Sequence, residues 1–208
     1  MAIIAGVARL DKSNRRAFER TVNSVPSLDS AWTHGINAMA GKSALPDLVM
    51  INVSQIAVPV LVSAVALQWW WRAKALDKNR HTIIAAGLSF TLGLACNQVI
   101  LLFIQRPRPY AAGITHLLIP ASSDPSFPSD HATATFAIAA AFLLHGALRR
   151  GALFILLALI VSFSRVYIGT HYLSDVVGGC LIGLLAALVV KAAYWPGTKA
   201  DNCLVNIL

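Results

Sequence analysis

Five stretches of the chain, roughly 17 to 23 residues each, carry almost no charge. They cover about 50–71, 82–104, 132–148, 151–167 and 173–195. Each is continuously apolar and reads as a membrane-spanning helix. A helix of about 22 residues at about 1.5 Å each covers about 33 Å, enough for a hydrocarbon core of about 30 Å. The third and fourth stretches are short for a crossing, so their ends are expected in polar protein surroundings. Composition agrees: 57% of residues are hydrophobic and 12% charged, against about 25% charged in soluble domains. That excludes a disordered chain, a coiled coil and a disulfide scaffold. The expected fold is all-α: an integral membrane bundle of five or six transmembrane helices plus N-terminal interfacial helices.

The net charge of +8 is read as topology, not as a nucleic-acid surface, because the basic residues cluster at the ends of apolar runs. RAKALDKNR (72–80) and Arg149-Arg150 lie two spans apart and fall on one side, the expected cytoplasmic side. The loop 105–131 and the link 168–173 then face outward. Trp69, Trp70 and Trp71 form an interfacial anchor. Phe18, Val22, Val25, Leu28, Trp32 and Ile36 recur at helical spacing, predicting helices that lie on the interface or pack on the bundle. Three regions follow: 1–45 amphipathic, 46–196 membrane domain, and 197–208 a short polar tail. Cys96, Cys180 and Cys203 have no zinc or disulfide spacing. No cleavable leader is expected at MAIIAGVARL.

The unusual polar residues gather at the outer ends of the spans. Arg106-Pro107-Arg108-Pro109 offers two permanent cations on a stiff backbone. It also reads as a proline-rich loop facing lipid headgroups. Pro125-Ser126-Phe127-Pro128-Ser129-Asp130-His131 precedes the third span, with Ser129 expected as N-cap and His131 in the first turn. Ordinary capping beside an incidental histidine explains it equally. Ser164-Arg165, His171 and Asp175 form the third cluster. His171 and Asp175 are four apart, on one face if the turn is helical, so a carboxylate can set the imidazole tautomer. An Arg165–Asp175 pair tying two helices is the structural alternative.

Together the clusters supply three arginines, a helix N-terminus, two histidines and a carboxylate. That inventory suits phosphoryl transfer: donors for the oxygens, a nucleophile and a proton donor. No metal and no cofactor is expected, since no acidic cluster would hold Mg²⁺. His116, in the outer loop, is a further candidate for contact with a phosphate. His34, His81 and His145 are read as structural, and Asn97 as a hydrogen-bonding group within the bundle.

SRVYIGTHYLSD (164–175), PSDH (128–131) and Arg108-Pro109 resemble the motifs of the type 2 phosphatidic acid phosphatase family, which shares its site with vanadium haloperoxidases. The family pattern Ser-Arg-x5-His-x3-Asp is complete. Pro-Ser-Gly-His has Asp130 in place of glycine, and Lys-x6-Arg-Pro has Leu101 in place of lysine, for which Arg106 is a candidate substitute. THLLIPASSDPSFPSDHATA (115–134) is most similar to the bacitracin-resistance branch, undecaprenyl-pyrophosphate phosphatases, which shares these departures.

The resemblance implies a bundle of about six helices and an outward pocket that removes the terminal phosphate of a polyprenyl pyrophosphate. It implies His171 as nucleophile through a phosphohistidine, Asp175 as its orienting group and His131 as proton donor. Arg108, Arg165 and Ser129 would hold phosphate oxygens, with the amides of Asp130 and His131 behind them. Asp130 would pair with Arg106 or tune His131, and Ser164 is a further candidate. Expected partners are that lipid substrate and membrane lipid, with no nucleic acid. The expected place is a bacterial cytoplasmic membrane, with the site facing outward. Other lipid phosphates, a transporter and an inactive membrane protein are the competing readings; the scarcity of ionisable groups in the inner halves of the spans opposes transport.

Overall fold

The computed structural model describes residues 27–70 and 76–205. Every described element is helical: α1 (Leu28–Asn37), α2 (Ala44–Leu67), α3 (Leu76–Leu101), α4 (Asp130–Leu144), α5 (Leu148–Tyr167), α6 (Leu173–Ala193) and α7 (Lys199–Val205). A single 3₁₀ turn, Gln68–Trp70, follows α2. Four helices are long and apolar enough to cross a bilayer, and α4 is a shorter apolar fifth. Trp71, Phe18, Val22 and Val25 lie outside the described residues.

The short helix is the centre of the bundle. Ala132 to Phe142 are buried without interruption, enclosed by α3, α5 and α6. The small side chains of ATATFAIAAA let neighbours approach closely, as helices packing in lipid require. α6 answers with glycine: a Cβ on Gly179 would stand 2.5 Å from the Ser129 carbonyl, and one on Gly183 2.6 Å from that of Thr133. On α3, a Cβ on Gly93 would stand 2.9 Å from Cγ2 of Thr133. Lower down, Phe142 meets Phe154 edge to face at 4.8 Å.

The termini differ from expectation in two places. α2 begins at Ala44, six residues before the predicted apolar stretch, because Pro46 is tolerated in a first helical turn. The tail is not merely polar: α7 folds back on α3, Asp201 and Val205 are buried, and Arg80 Nη1 donates to the Val205 carbonyl at 3.0 Å.

α1 packs against α5 and α6 and leaves apolar side chains exposed. Ser27 caps it, accepting from the Ser30 amide at 3.1 Å. Its buried face is polar, Thr33 and Asn37, while Leu28 and Trp32 are exposed. Asn37 Nδ2 donates to the carbonyls of Tyr167 (2.7 Å) and His116 (2.9 Å), and its Oδ1 accepts from the His116 amide. α1 therefore sits at the same end as the loop 102–129, which is what five crossings require. That loop is pinned across the ends of α5 and α6 by Leu118 N–Ile168 O (3.1 Å) and Thr115 Oγ1–Gly169 O (2.9 Å). Gly169 has φ +84°, and a Cβ there would meet the His116 carbonyl at 2.4 Å, so only glycine fits. At the opposite end Arg150 Nη1 donates to Gln68 (2.7 Å) and Asn79 (2.5 Å).

Candidate active site

The end of the bundle bearing the loop 102–129 encloses a cavity of 420 Å³. Arg108, Asp130, His131, Arg165 and His171 all stand on its wall, together with Gln98 and Thr170. Five separate segments supply them: the last turn of α3, the loop, the first turn of α4, the last turn of α5 and the link into α6.

His171 is 3% exposed and its orientation is fixed by a main-chain group. Nδ1 lies 2.8 Å from the Ser126 carbonyl. A carbonyl only accepts, so Nδ1 carries the proton and Nε2 keeps its lone pair. Nε2 faces Arg108 Nη1 at 3.4 Å. Burial, with Arg165 and Arg108 nearby, holds the imidazole below the usual histidine value although Asp175 pulls the other way. The ring is thus biased toward its neutral form, with the Nε2 lone pair toward the cavity-wall cation Arg108.

Asp175 was expected to bond His171 directly. Its Oδ2 is 3.6 Å from Nδ1, beyond a hydrogen bond. The carboxylate is occupied elsewhere: it accepts from Ser126 Oγ, from the Tyr172 amide at 2.8 Å and from Arg106 Nη1 at 2.6 Å. It thereby caps α6 and holds the Ser126 segment against His171. Ser126 is a site residue that sequence reasoning missed. Its only signal was its place in the polar PSFPSD run.

Arg108 is 9% exposed, anchored by Nε to the Asp124 carbonyl (2.8 Å) and by Nη1 to that of Thr170 (3.2 Å). Arg165 is also buried, and Nη1 donates to Ser54 Oγ on α2 at 2.5 Å. Arg165 does not pair with Asp175, so the helix-tying alternative is not what forms. Asp130 pairs neither with Arg106 nor with His131: Asn97 Nδ2 donates to it at 2.6 Å and to Thr133 Oγ1 at 3.0 Å.

Besides Asp175, four candidates stand apart from the cavity wall. Arg106 is held by Asp29 (2.6 Å) and Asp175 and lies over the Tyr172 ring at 3.7 Å. It supports Asp175 instead of replacing the lysine missing at Leu101, because two carboxylates compete for its guanidinium. Ser129 occupies the N-cap position but its hydroxyl makes no cap bond; Oγ is buried and has no partner among the described residues. Its amide donates to the Asp175 carbonyl at 3.1 Å, and its own carbonyl lies against Gly179 of α6. Ser164 Oγ donates back to the Val161 carbonyl of its own helix. His116 is exposed, with its ring against Gly41.

A smaller cavity of 150 Å³ adjoins the first, sharing Gln98, Asp130 and His131 with it. The rest of its wall is apolar: Val58 of α2, Phe90 and Leu94 of α3, and Ala134 of α4. It lies between α2 and α3, since α2 packs mainly on α5.

Residues 82–199 match the PAP2 superfamily profile. The chain is 31% identical to undecaprenyl-diphosphatase BcrC of Bacillus subtilis over 150 residues, covering 72% of this chain and 76% of that one. It is 29% identical to the putative undecaprenyl-diphosphatase YbjG of Escherichia coli K12 over 159 residues, covering 76% and 79%. Among solved structures, LpxE of Aquifex aeolicus superposes with a TM-score of 0.66 at 25% identity, covering 81% of this chain and 96% of that one. The fold also matches a PAP2-type phosphatidylglycerolphosphate phosphatase from Bacillus subtilis, with a TM-score of 0.60 over 95% of this chain and 94% of that one, at 21% identity. The apolar helices, the convergent histidines and arginines and the extent of these matches agree: this chain is a multi-pass membrane phosphatase belonging to the PAP2 superfamily.

Proposed function

We infer that the chain removes the terminal phosphate of undecaprenyl pyrophosphate, giving undecaprenyl phosphate and inorganic phosphate. The observation that carries the reading is one polar cavity, walled by His171, His131, Arg108 and Arg165, that shares Gln98, Asp130 and His131 with an adjoining apolar one lined by α2, α3 and α4. A charged headgroup fits the first and the start of a hydrocarbon chain the second. The names of the similar undecaprenyl-diphosphatases support the choice of lipid.

The proposed mechanism runs in two steps. His171 Nε2 attacks the terminal phosphorus, a P–N bond forms, and the bridging P–O bond breaks. The leaving lipid phosphate takes a proton from His131. His131 then takes a proton from water, whose oxygen attacks phosphorus and releases phosphate and free His171. Arg108 and Arg165 hold the equatorial oxygens, where charge is spread in the transition state. No step is assigned to a metal, because two guanidinium groups make the wall repel a divalent cation.

The side bearing Lys78, Arg80, Arg149 and Arg150 is assigned to the cytoplasm by the positive-inside rule. The cavity then faces outward in a bacterial cytoplasmic membrane, where removing this phosphate recycles the carrier lipid for cell-wall synthesis and confers bacitracin resistance.

The test is phosphate release by purified full-length protein from undecaprenyl pyrophosphate, phosphatidate and phosphatidylglycerophosphate, all with EDTA present. The expected result is preferred turnover of the pyrophosphate, inhibition by vanadate, and loss of both turnover and the acid-labile phosphoprotein in His171→Ala. Equal rates on phosphatidate overturn the substrate assignment. Turnover retained by folded His171→Ala overturns the nucleophile.

A further inference from the structure

The two arginines on the cavity wall are anchored without carboxylates. Among the described residues the ion pairs take in His81, Arg106 and His171, but neither Arg108 nor Arg165. Arg108 is held by the carbonyls of Asp124 and Thr170. The Arg165 guanidinium makes one hydrogen bond to the described residues, from Nη1 to Ser54 Oγ at 2.5 Å. A guanidinium has no acceptor, so the hydroxyl oxygen accepts. Asp130 is close enough to act on Arg165 through space, but Asn97 holds it at 2.6 Å.

Ser54 comes from a helix outside the residues 82–199 that match the family. α2 buries one narrow stripe, Ser54, Leu61 and Val65, whose spacing of seven and four places them on a single helical face. Ser54 is the polar member of that stripe and is wholly buried. Its main-chain carbonyl also faces the His131 ring.

Two features make this anchor matter. Arg108 and Arg165 repel one another across the wall. Arg165 Nε is buried with no partner among the described residues, so the contact at Nη1 sets the direction of the whole group. A carboxylate in the place of Ser54 would orient the guanidinium too, but would cancel the charge that phosphate oxygens are to meet. A neutral oxygen orients it and leaves that charge available.

We propose that Ser54 is a positioning residue for the reaction: its hydroxyl orients Arg165 toward the phosphate oxygens without neutralising it. The proposal rests on the reading of Arg165 as a phosphate-holding group. It adds to the site a working residue from α2.

The experiment compares purified full-length parent, Ser54→Ala, Arg165→Gln and the Ser54→Ala/Arg165→Gln double variant. It measures kcat on undecaprenyl pyrophosphate and the vanadate inhibition constant. Ser54→Ala is expected to lower kcat about tenfold and to weaken vanadate about tenfold, because Arg165 no longer points at the oxygens. A smaller folded fraction lowers kcat alone and leaves the vanadate constant at the parent value. In the Arg165→Gln background Ser54→Ala is expected to change neither quantity further, since Ser54 acts through Arg165. Parental vanadate inhibition in Ser54→Ala, or the same fold loss in both backgrounds, overturns the role of Ser54 and leaves that of Arg165 standing. An Arg165→Gln variant that turns over and binds vanadate like the parent overturns the underlying reading of Arg165 instead.

Discussion

Asp175 is closer to Arg106 than to His171: Oδ1 is 2.6 Å from Arg106 Nη1, whereas Oδ2 is 3.6 Å from His171 Nδ1. The carboxylate orients the histidine through its surroundings, and Arg106 is part of those surroundings. Arg106→Ala leaves the buried Asp175 charge without its cation. The expected cost is about 1–3 kcal/mol of stability, below that of a fully buried pair because Arg106 is partly exposed. Turnover is expected to fall about tenfold or more while vanadate inhibition changes little. Arg108→Ala is expected to do the reverse, weakening vanadate strongly. Paired inhibition and kcat measurements separate the two arginines.

Ser126 connects both halves of this arrangement, with its hydroxyl on Asp175 and its carbonyl on His171. Ser126→Ala removes one hydrogen bond to a buried carboxylate. Turnover is expected to drop about tenfold, with KM nearly unchanged because no group on the cavity wall is lost. A KM rise at constant kcat would contradict this role.

His171 is held below the ordinary histidine value of 6.5 by burial and by Arg165 and Arg108. A depressed pKa keeps the imidazole unprotonated down to lower pH, so activity is lost only as pH falls through that lowered value. The acidic limb of kcat/KM is expected below pH 6.5. Arg108→Gln removes one repelling cation and is expected to move that limb upward. A limb at or above 6.5 in the parent enzyme contradicts a neutral His171 nucleophile.

Gly179 and Gly183 set the depth at which α6 meets α4. Gly183→Ala forces a methyl group against the Thr133 carbonyl and is expected to cost about 1–3 kcal/mol. Gly179→Ala pushes on the Ser129 carbonyl, next to Asp130 and His131, and is expected to lower activity as well. Thermal unfolding and turnover of both variants in the same detergent check this.

Much of the fold was legible because hydropathy alone marks where a chain can cross lipid. The start of α4 at Asp130 and of α6 at Leu173 followed from PSDH and from the polar link before HYLSD. His131, His171, Arg108 and Arg165 carry the residue types that phosphoryl transfer requires, so their convergence was readable. What escaped were contacts between distant segments. Arg106 meets Asp29 77 residues away and Asp175 69 residues away, and no local pattern signals either. The acceptor for His171 is a main-chain carbonyl, to which residue identity is nearly blind. Asn97 was expected to bond within the bundle, yet its partner Asp130, 33 residues on, is fixed only by how α3 lies on α4. The helix α7 was hidden because ADNCLV is too short and too mixed to show a period.

The apolar cavity between α2 and α3 adjoins the Arg108 cavity from the side of the bundle and not from its end. A substrate using it arrives by diffusion within the plane of the leaflet, without leaving the bilayer. The concentration that governs encounter is then a mole fraction among neighbouring lipids, and diluting the same amount of substrate with inert amphiphile slows the enzyme even though the solution volume has not changed.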